Sequence, residues 1–314
     1  MQRVTAATTN ATARGVFLSG LVLAAVASTL FSAKAVVIKL AYRHGVDPVT
    51  LLALRMLFAA PFFAIALVWA SRGRPALSGR DHARLVLMGV VGYYGASYLD
   101  FLGLQHVSAA LERLILYLYP TIVVLMSVLF LRRRFTRNDG WAMLLAYAGI
   151  LSAFWHDITA GRGNVLLGAA LIFGSALTYA LYLVMGGELV HRLGAIRLAA
   201  YAILVSTAAV LLQFLLLNPL ESLVQPAPVY WLSAVNGLFC TVIPAFATML
   251  AVERIGAGRA AMVAMLGPVA TIVLAWLLLG EAASTWGLAG TALVLAGVLL
   301  LSRSPARGQQ AGRG

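Results

Sequence analysis

Ten stretches of this 314-residue sequence are each apolar over roughly the 20 residues a helix needs to cross a bilayer. They run 16–41, 48–70, 84–105, 108–131, 139–156, 164–186, 196–217, 228–251, 257–279 and 284–302. Only short connections remain between them, with no polar region large enough for a separate water-soluble domain. Composition agrees, with 62% hydrophobic and 11% charged residues, where soluble domains have about half and a quarter. The expected fold class is therefore all-α integral membrane. Residues 1–14 and 303–314 are polar and rich in Ala, Gly and Arg, and read as disordered tails.

The net charge of +13 does not point to nucleic acid, because the arginines lie in short runs between apolar segments. With the N-terminus inside, the inner side collects seventeen of them: Arg3, Arg14, Arg72, Arg74, Arg80, Arg84, Arg132–Arg134, Arg137, Arg192, Arg197, Arg254, Arg259, Arg303, Arg307 and Arg313. The outer loops hold Arg43 and Arg162. This bias predicts a multi-pass protein of a bacterial-type inner membrane with both termini cytoplasmic. All six tryptophans, at 69, 141, 155, 231, 276 and 286, fall near span ends, as an interfacial belt requires. The run Gly15–Ala33 is too long for the apolar part of a signal peptide and reads as a retained span. Cys240, the single cysteine, excludes an intrachain disulfide and reads as a small core residue.

A shift of 148 residues aligns Gly20 with Gly168, Pro120 with Pro268, Ala148 with Ala296 and Gly149 with Gly297. It also pairs Leu129-Phe130-Leu131 with Leu277-Leu278-Leu279, and holds without a gap from the first span to the fifth. The chain thus reads as a duplication, with one five-helix repeat over 16–156 and another over 164–302. Five is odd, so the second repeat enters the membrane inverted relative to the first. Arg132–Arg134 lies inside, while its counterpart Gly280-Glu281-Ala282 lies outside without a cation. Inverted repeats are a carrier architecture, with substrate held at mid-membrane between the halves.

The segment Trp276-Leu-Leu-Leu-Gly280-Glu281, followed by Trp286-Gly287-Leu288-Ala289-Gly290 and Ala296-Gly297-Val298, resembles the end of an EamA-type repeat. So does Leu118-Tyr119-Pro120 with the downstream Gly149. Over residues 16–302 the chain resembles the EamA branch of the drug/metabolite transporter superfamily. That resemblance implies ten helices in two inverted bundles and export or exchange of small metabolites. It does not imply one substrate, since members handle amino acids, amines, sugars, nucleotide derivatives and drugs. Arg133 stands where the first repeat would carry the equivalent of Glu281, so that carboxylate has no symmetric partner.

Ionisable groups inside a span are costly and face a cavity or a partner. Lys34, Arg55, Asp100, Glu112 and Arg113 are such groups, and all five fall in the outer half of the bilayer. Lys39 lies near the outer end of its span, where it can snorkel to water. The repeat partners of the five are uncharged: Tyr182, Ile203, Thr248, Ala260 and Ala261. Three cations and two carboxylates at similar depth can pair, either to bind substrate or to lock helix ends together. Asp100 and Glu112 are also placed to relay protons. Tyr93, Ser97 and Asp100 share one helical face, Tyr94, Tyr98 and Phe101 the adjoining one, and Arg113, Tyr117 and Pro120 one side of the fourth span. Ser175, Tyr179 and Tyr182 line up on the sixth. Pro120 and Pro268 are expected to kink the fourth and ninth spans near their centres, and Pro244 to break the eighth. Gly89, Gly92 and Gly95, and Gly287 with Gly290, read as sites of close helix packing.

These features favour a secondary transporter of a small metabolite working by alternating access, with no cofactor or metal. The cluster's excess of one positive charge favours an anionic or zwitterionic substrate, such as an amino acid or organic acid, held partly by Lys34 and Arg55. Export of cationic drugs or amines is the alternative carrier reading. A structural or sensory membrane protein is the alternative of another class. Enzyme chemistry is disfavoured, because no H-E-x-x-H or G-x-S-x-G motif occurs and the five histidines lie in or beside separate loops.

Overall fold

A computed structural model describes residues 2–131, 137–161, 164–255, 260, 263–264, 266–281 and 284–302. The described residues are helical almost throughout and contain no strand. In chain order the helices are α1 (Gln2–Tyr42), α2 (Pro48–Ser71), α3 (Gly79–Leu87), α4 (Gly95–Gly103), α5 (Ala109–Leu116), α6 (Tyr119–Leu131) and α7 (Arg137–Thr159). There follow α8 (Val165–Leu193), α9 (Ala195–Leu217), α10 (Ala227–Gly237), α11 (Ile243–Ile255), α12 (Leu266–Leu274) and α13 (Thr285–Ser302). Helix α1 runs back through most of the stretch read from sequence as an N-terminal tail. The C-terminal tail, Arg132–Arg134, Arg162 and Arg259 lie outside the described residues.

Among the described residues, six stretches form helices long and apolar enough to cross a membrane: Gly15–Tyr42, Pro48–Ser71, Gly79–Gly103, Val165–Gly186, Ala195–Leu217 and Ala227–Ala251. Leu266–Leu279 and Thr285–Leu300 are shorter apolar helices. The surface is apolar and much of the polar material is inside, the reverse of a soluble protein. Ile65, Leu151, Leu166 and Leu216 point outward, as do all six tryptophans, which are 54–74% exposed. Ser32, Thr50, Glu112, Ser233, Asn236 and Thr271 are wholly enclosed.

Each long helix begins or breaks for a local reason. Asp47 caps α2 by accepting from the backbone N–H groups of Val49 and Thr50, both at 3.0 Å, and Pro48 supplies the preset φ of a first helical residue. Ser78 and Asp81 form a reciprocal capping box at the start of α3. In the fourth span the expected mid-span kink takes a different form. The fourth span breaks at Tyr117–Leu118, so that Pro120 falls in the first turn of α6, where a missing N–H costs nothing. Pro120 thus opens a helix rather than bending one. Pro244 lies inside the eighth span, which is one continuous helix over Ala227–Ala251, two residues after its π turn, and Pro268 follows helical residues at 263–264 and 266–267.

The third and eighth spans carry π-helical turns, Met88–Tyr94 between α3 and α4 and Leu238–Val242 between α10 and α11. The 148-residue shift lays the second turn on residues 90–94, inside the first. Such insertions are rare and concentrate at functional sites. Glycines let helix backbones touch elsewhere. A Cβ on Gly149 would lie 2.4 Å from the Gly290 carbonyl oxygen, and one on Gly297 would lie 2.5 Å from that of Ala142. This joins α7 to α13 directly. Gly89 and Gly92 admit Val205 and Tyr182 just as closely, whereas Gly287 serves in a cap, donating its N–H to Ser284 Oγ.

Candidate functional site

Lys34 on α1 lies between two carboxylates. Its Nζ is 2.6 Å from Asp100 Oδ2 on α4 and 3.3 Å from Glu112 Oε1 on α5, with the Lys34 side chain 15% exposed and Glu112 fully enclosed. Glu112 sits in the first turn of α5, whose N-cap Ser108 accepts from the Leu111 N–H, so the helix dipole favours a negative charge there. The pairing predicted from depth and sign is therefore present. It is also incomplete, since Asp100 Oδ1 and Glu112 Oε2 accept no hydrogen bond although both are buried. A buried polar atom left in this state costs about 1–3 kcal/mol, more when charged, which marks it as a place for a further donor.

The other two cations are held by neutral groups of the second repeat and of α1. Arg55 Nε donates to Thr241 Oγ1 at 3.1 Å, and the guanidinium lies 5.4 Å from the centre of the Phe101 ring. Thr241 in turn donates to the Asn236 carbonyl across the second π turn at 3.0 Å, and both polar atoms of the Asn236 side chain are buried without a partner. Arg113 Nη2 donates to Ser32 Oγ at 3.0 Å, while its buried Nε has no acceptor. Its guanidinium also lies 5.5 Å from the Tyr117 ring centre, and the Tyr117 hydroxyl donates to the Ala264 carbonyl. Gly267, directly before Pro268, makes room for this group. A Cβ there would stand 2.5 Å from the Tyr117 hydroxyl, 3.1 Å from Ser32 Oγ and 3.2 Å from Arg113 Nη2. All five charges come from the first repeat, and the second supplies hydroxyls, carbonyls and a glycine.

The tyrosines divide into two groups. Tyr94 and Tyr98 stack on each other with ring centres 6.0 Å apart. Tyr93 meets Tyr182 edge-on at 6.2 Å, Tyr182 stacks on Tyr179 at 5.8 Å, and Tyr179 meets Tyr119 edge-on at 5.5 Å. This second group is a continuous wall spanning the first π turn, α8 and α6. Tyr119 enters the sequence reading only through the Leu118-Tyr119-Pro120 motif and not as a site residue, because nothing in its spacing sets it apart from a packing aromatic. Ser97 is half-buried on α4.

Lys39, near the end of α1, is also held by specific partners. Its Nζ donates to the Val107 carbonyl at 2.7 Å and lies 3.5 Å from Glu281 Oε1. Glu281 Oε2 accepts from the Ala109 N–H at 3.3 Å, and Arg43 Nη2 donates to the Leu279 carbonyl at 2.6 Å. These groups border a pocket of about 730 Å³, lined also by Tyr42, Asp47 and Gln105. Among the described residues no cluster of three or more metal-ligating side chains occurs.

The sequence matches the model of a family described as EamA-like transporters at two segments, 18–155 and 166–303, equal in length and offset by the same 148 residues found by self-alignment. An uncharacterized transporter, YcbK of Bacillus subtilis, is 34% identical over 84% of this chain and 86% of its own length. A probable terminal-alkyne amino-acid exporter of Streptantibioticus cattleyicolor is 27% identical over 76% of this chain and 80% of its own. A crystal structure shares the fold at a TM-score of 0.61 and 21% identity, covering 90% of this chain and 96% of that one.

Proposed function

Since the chain belongs to the EamA-like transporter family, we propose that it is an inner-membrane secondary carrier moving a small anionic or zwitterionic metabolite, such as an organic acid or, as favoured below, an amino acid, by alternating access. In this reading two inverted five-helix repeats, both with their outer tails in the cytoplasm, rock about a site between them. One observation carries the substrate class: a buried cluster holds unfilled acceptors on Asp100 and Glu112 close in sequence to an unfilled donor on Arg113. A zwitterion offers both complements in one molecule. Its carboxylate would go to Arg113, its ammonium to the two acidic groups, and its apolar part to the wall of Tyr93, Tyr119, Tyr179 and Tyr182. Lys34 and Arg55, already bonded, would set the field of the site rather than clamp the substrate. The amino-acid exporter among the relatives is consistent with this class.

The free carboxylate oxygens favour a second reading, export of amines. Proteoliposome flux separates the two. With alanine, leucine and phenylalanine set against their decarboxylated amines, the amino acids should move faster, and Arg113→Ala should slow them about tenfold or more through loss of a charged hydrogen bond. Faster movement of the amines, indifferent to Arg113→Ala but abolished by Asp100→Asn, would establish the second reading. Absence of flux for every compound would leave a structural or sensory protein.

A further inference from the structure

Glu281 closes the ninth span. It follows the π turn Ala275–Leu279 and Gly280, whose φ of +70° turns the chain so that the Glu281 carboxylate points back toward α1 and α5. There it bridges three elements: Lys39 on α1 at 3.5 Å, the Ala109 N–H that opens α5 at 3.3 Å, and its own second-repeat helix. Arg43, one turn beyond Lys39, makes a parallel tie from α1 to the Leu279 carbonyl. Lys39 stands five residues from Lys34 on the same helix, about 7.5 Å along its axis. The bridge lines the 730 Å³ pocket, and Lys39 sits on α1 at a depth between the α1–α2 turn that also lines it and Lys34.

We propose that this pocket is an outer binding station for carboxylate-bearing substrates, and that the Lys39–Glu281 bridge is a gate which the substrate carboxylate opens. A carboxylate entering the pocket meets Lys39 and Arg43. By taking the place of Glu281 on Lys39 it frees the second repeat from α1 at this end, and the path to Lys34, Asp100 and Glu112 opens. The inference rests on the carrier reading above and adds to it a second site and a means of opening.

The test uses Ala109→Cys, a small change at a fully buried position behind Glu281. The chain's one other cysteine, Cys240, is buried, and the unaltered protein serves as the control for it. A membrane-impermeant maleimide is added from the side bearing the α1–α2 turn. Labelling should be slow, about tenfold faster with added Glu281→Gln, and comparably faster with millimolar alanine, leucine and phenylalanine. The decarboxylated amines should have no effect, and Lys39→Gln should abolish the response to the amino acids. A purely structural lock would loosen in Glu281→Gln but ignore the amino acids, and that result overturns the proposal. So does equal acceleration by the amines, or a rate unmoved by Glu281→Gln. Flux measured on the same preparations separates the two failures: intact flux with unresponsive labelling rejects the gate alone, whereas absent flux rejects the carrier reading.

Discussion

Lys34→Ala is expected to destabilise the protein by about 3–5 kcal/mol and to abolish transport, because it strips two buried carboxylates of the cation they share. A triple variant separates that structural cost from function. Lys34→Met with Asp100→Asn and Glu112→Gln keeps the volumes and removes all three charges. Thermal unfolding in detergent should return most of the way to the unaltered value, since replacing a whole buried ionic group is often neutral. Transport should not return. Lys34→Ala with unaltered stability would show that Asp100 and Glu112 are not charged together against Lys34, and the site described above would need a different electrostatic basis.

Gly149→Val should be nearly as damaging, for a reason that has nothing to do with charge. At Gly149 a Cβ would stand 2.4 Å from the Gly290 carbonyl oxygen and 2.9 Å from Val294 Cγ2. The obstructing atom is backbone, so no side chain can swing aside, and α7 and α13 must separate. In lipid the packing of close-approaching backbones is itself a main source of helix association, because no hydrophobic gain is left to draw apolar helices together. A loss of at least about 1–3 kcal/mol is expected from the overpacking alone. It should be read as a lowered unfolding midpoint and a polydisperse gel-filtration profile. Gly15→Val is the control: nothing lies within 4 Å of a Cβ there, and the change should stay within about 0.5 kcal/mol.

Much of the helical framework was legible in the sequence, because lipid imposes apolar runs whose length geometry dictates. The duplication was legible for a related reason. Positions such as Gly149 and Gly297 tolerate no side chain where helices touch, so the two copies keep the same residue. The π turns were not. Residues 88–94 and 238–242 adopt equivalent conformations, yet only the second is followed by a proline, Pro244, and neither has a local sequence mark. That the charged residues of the site can pair could be read from sign and depth alone, but not that Lys34 takes both carboxylates while Arg55 and Arg113 bond to hydroxyls. The neutral half of the site could not be read. Thr241, Ser32 and Gly267 are ordinary residues until the tertiary fold sets them against Arg55 and Arg113. The partner of Lys39 was hidden for the same reason, since Glu281 lies more than two hundred residues away beyond the end of another helix.

Counterflow tests the carrier reading most directly, because it needs a site that faces one side at a time. Proteoliposomes are loaded with millimolar unlabelled alanine, leucine and phenylalanine, then diluted into a trace of the labelled compounds. The label should accumulate transiently above its equilibrium level and then decline, and Arg113→Ala should remove the overshoot. Uptake that climbs to equilibrium without an overshoot, or no uptake of any of the three, would contradict an alternating-access carrier for this class of substrate.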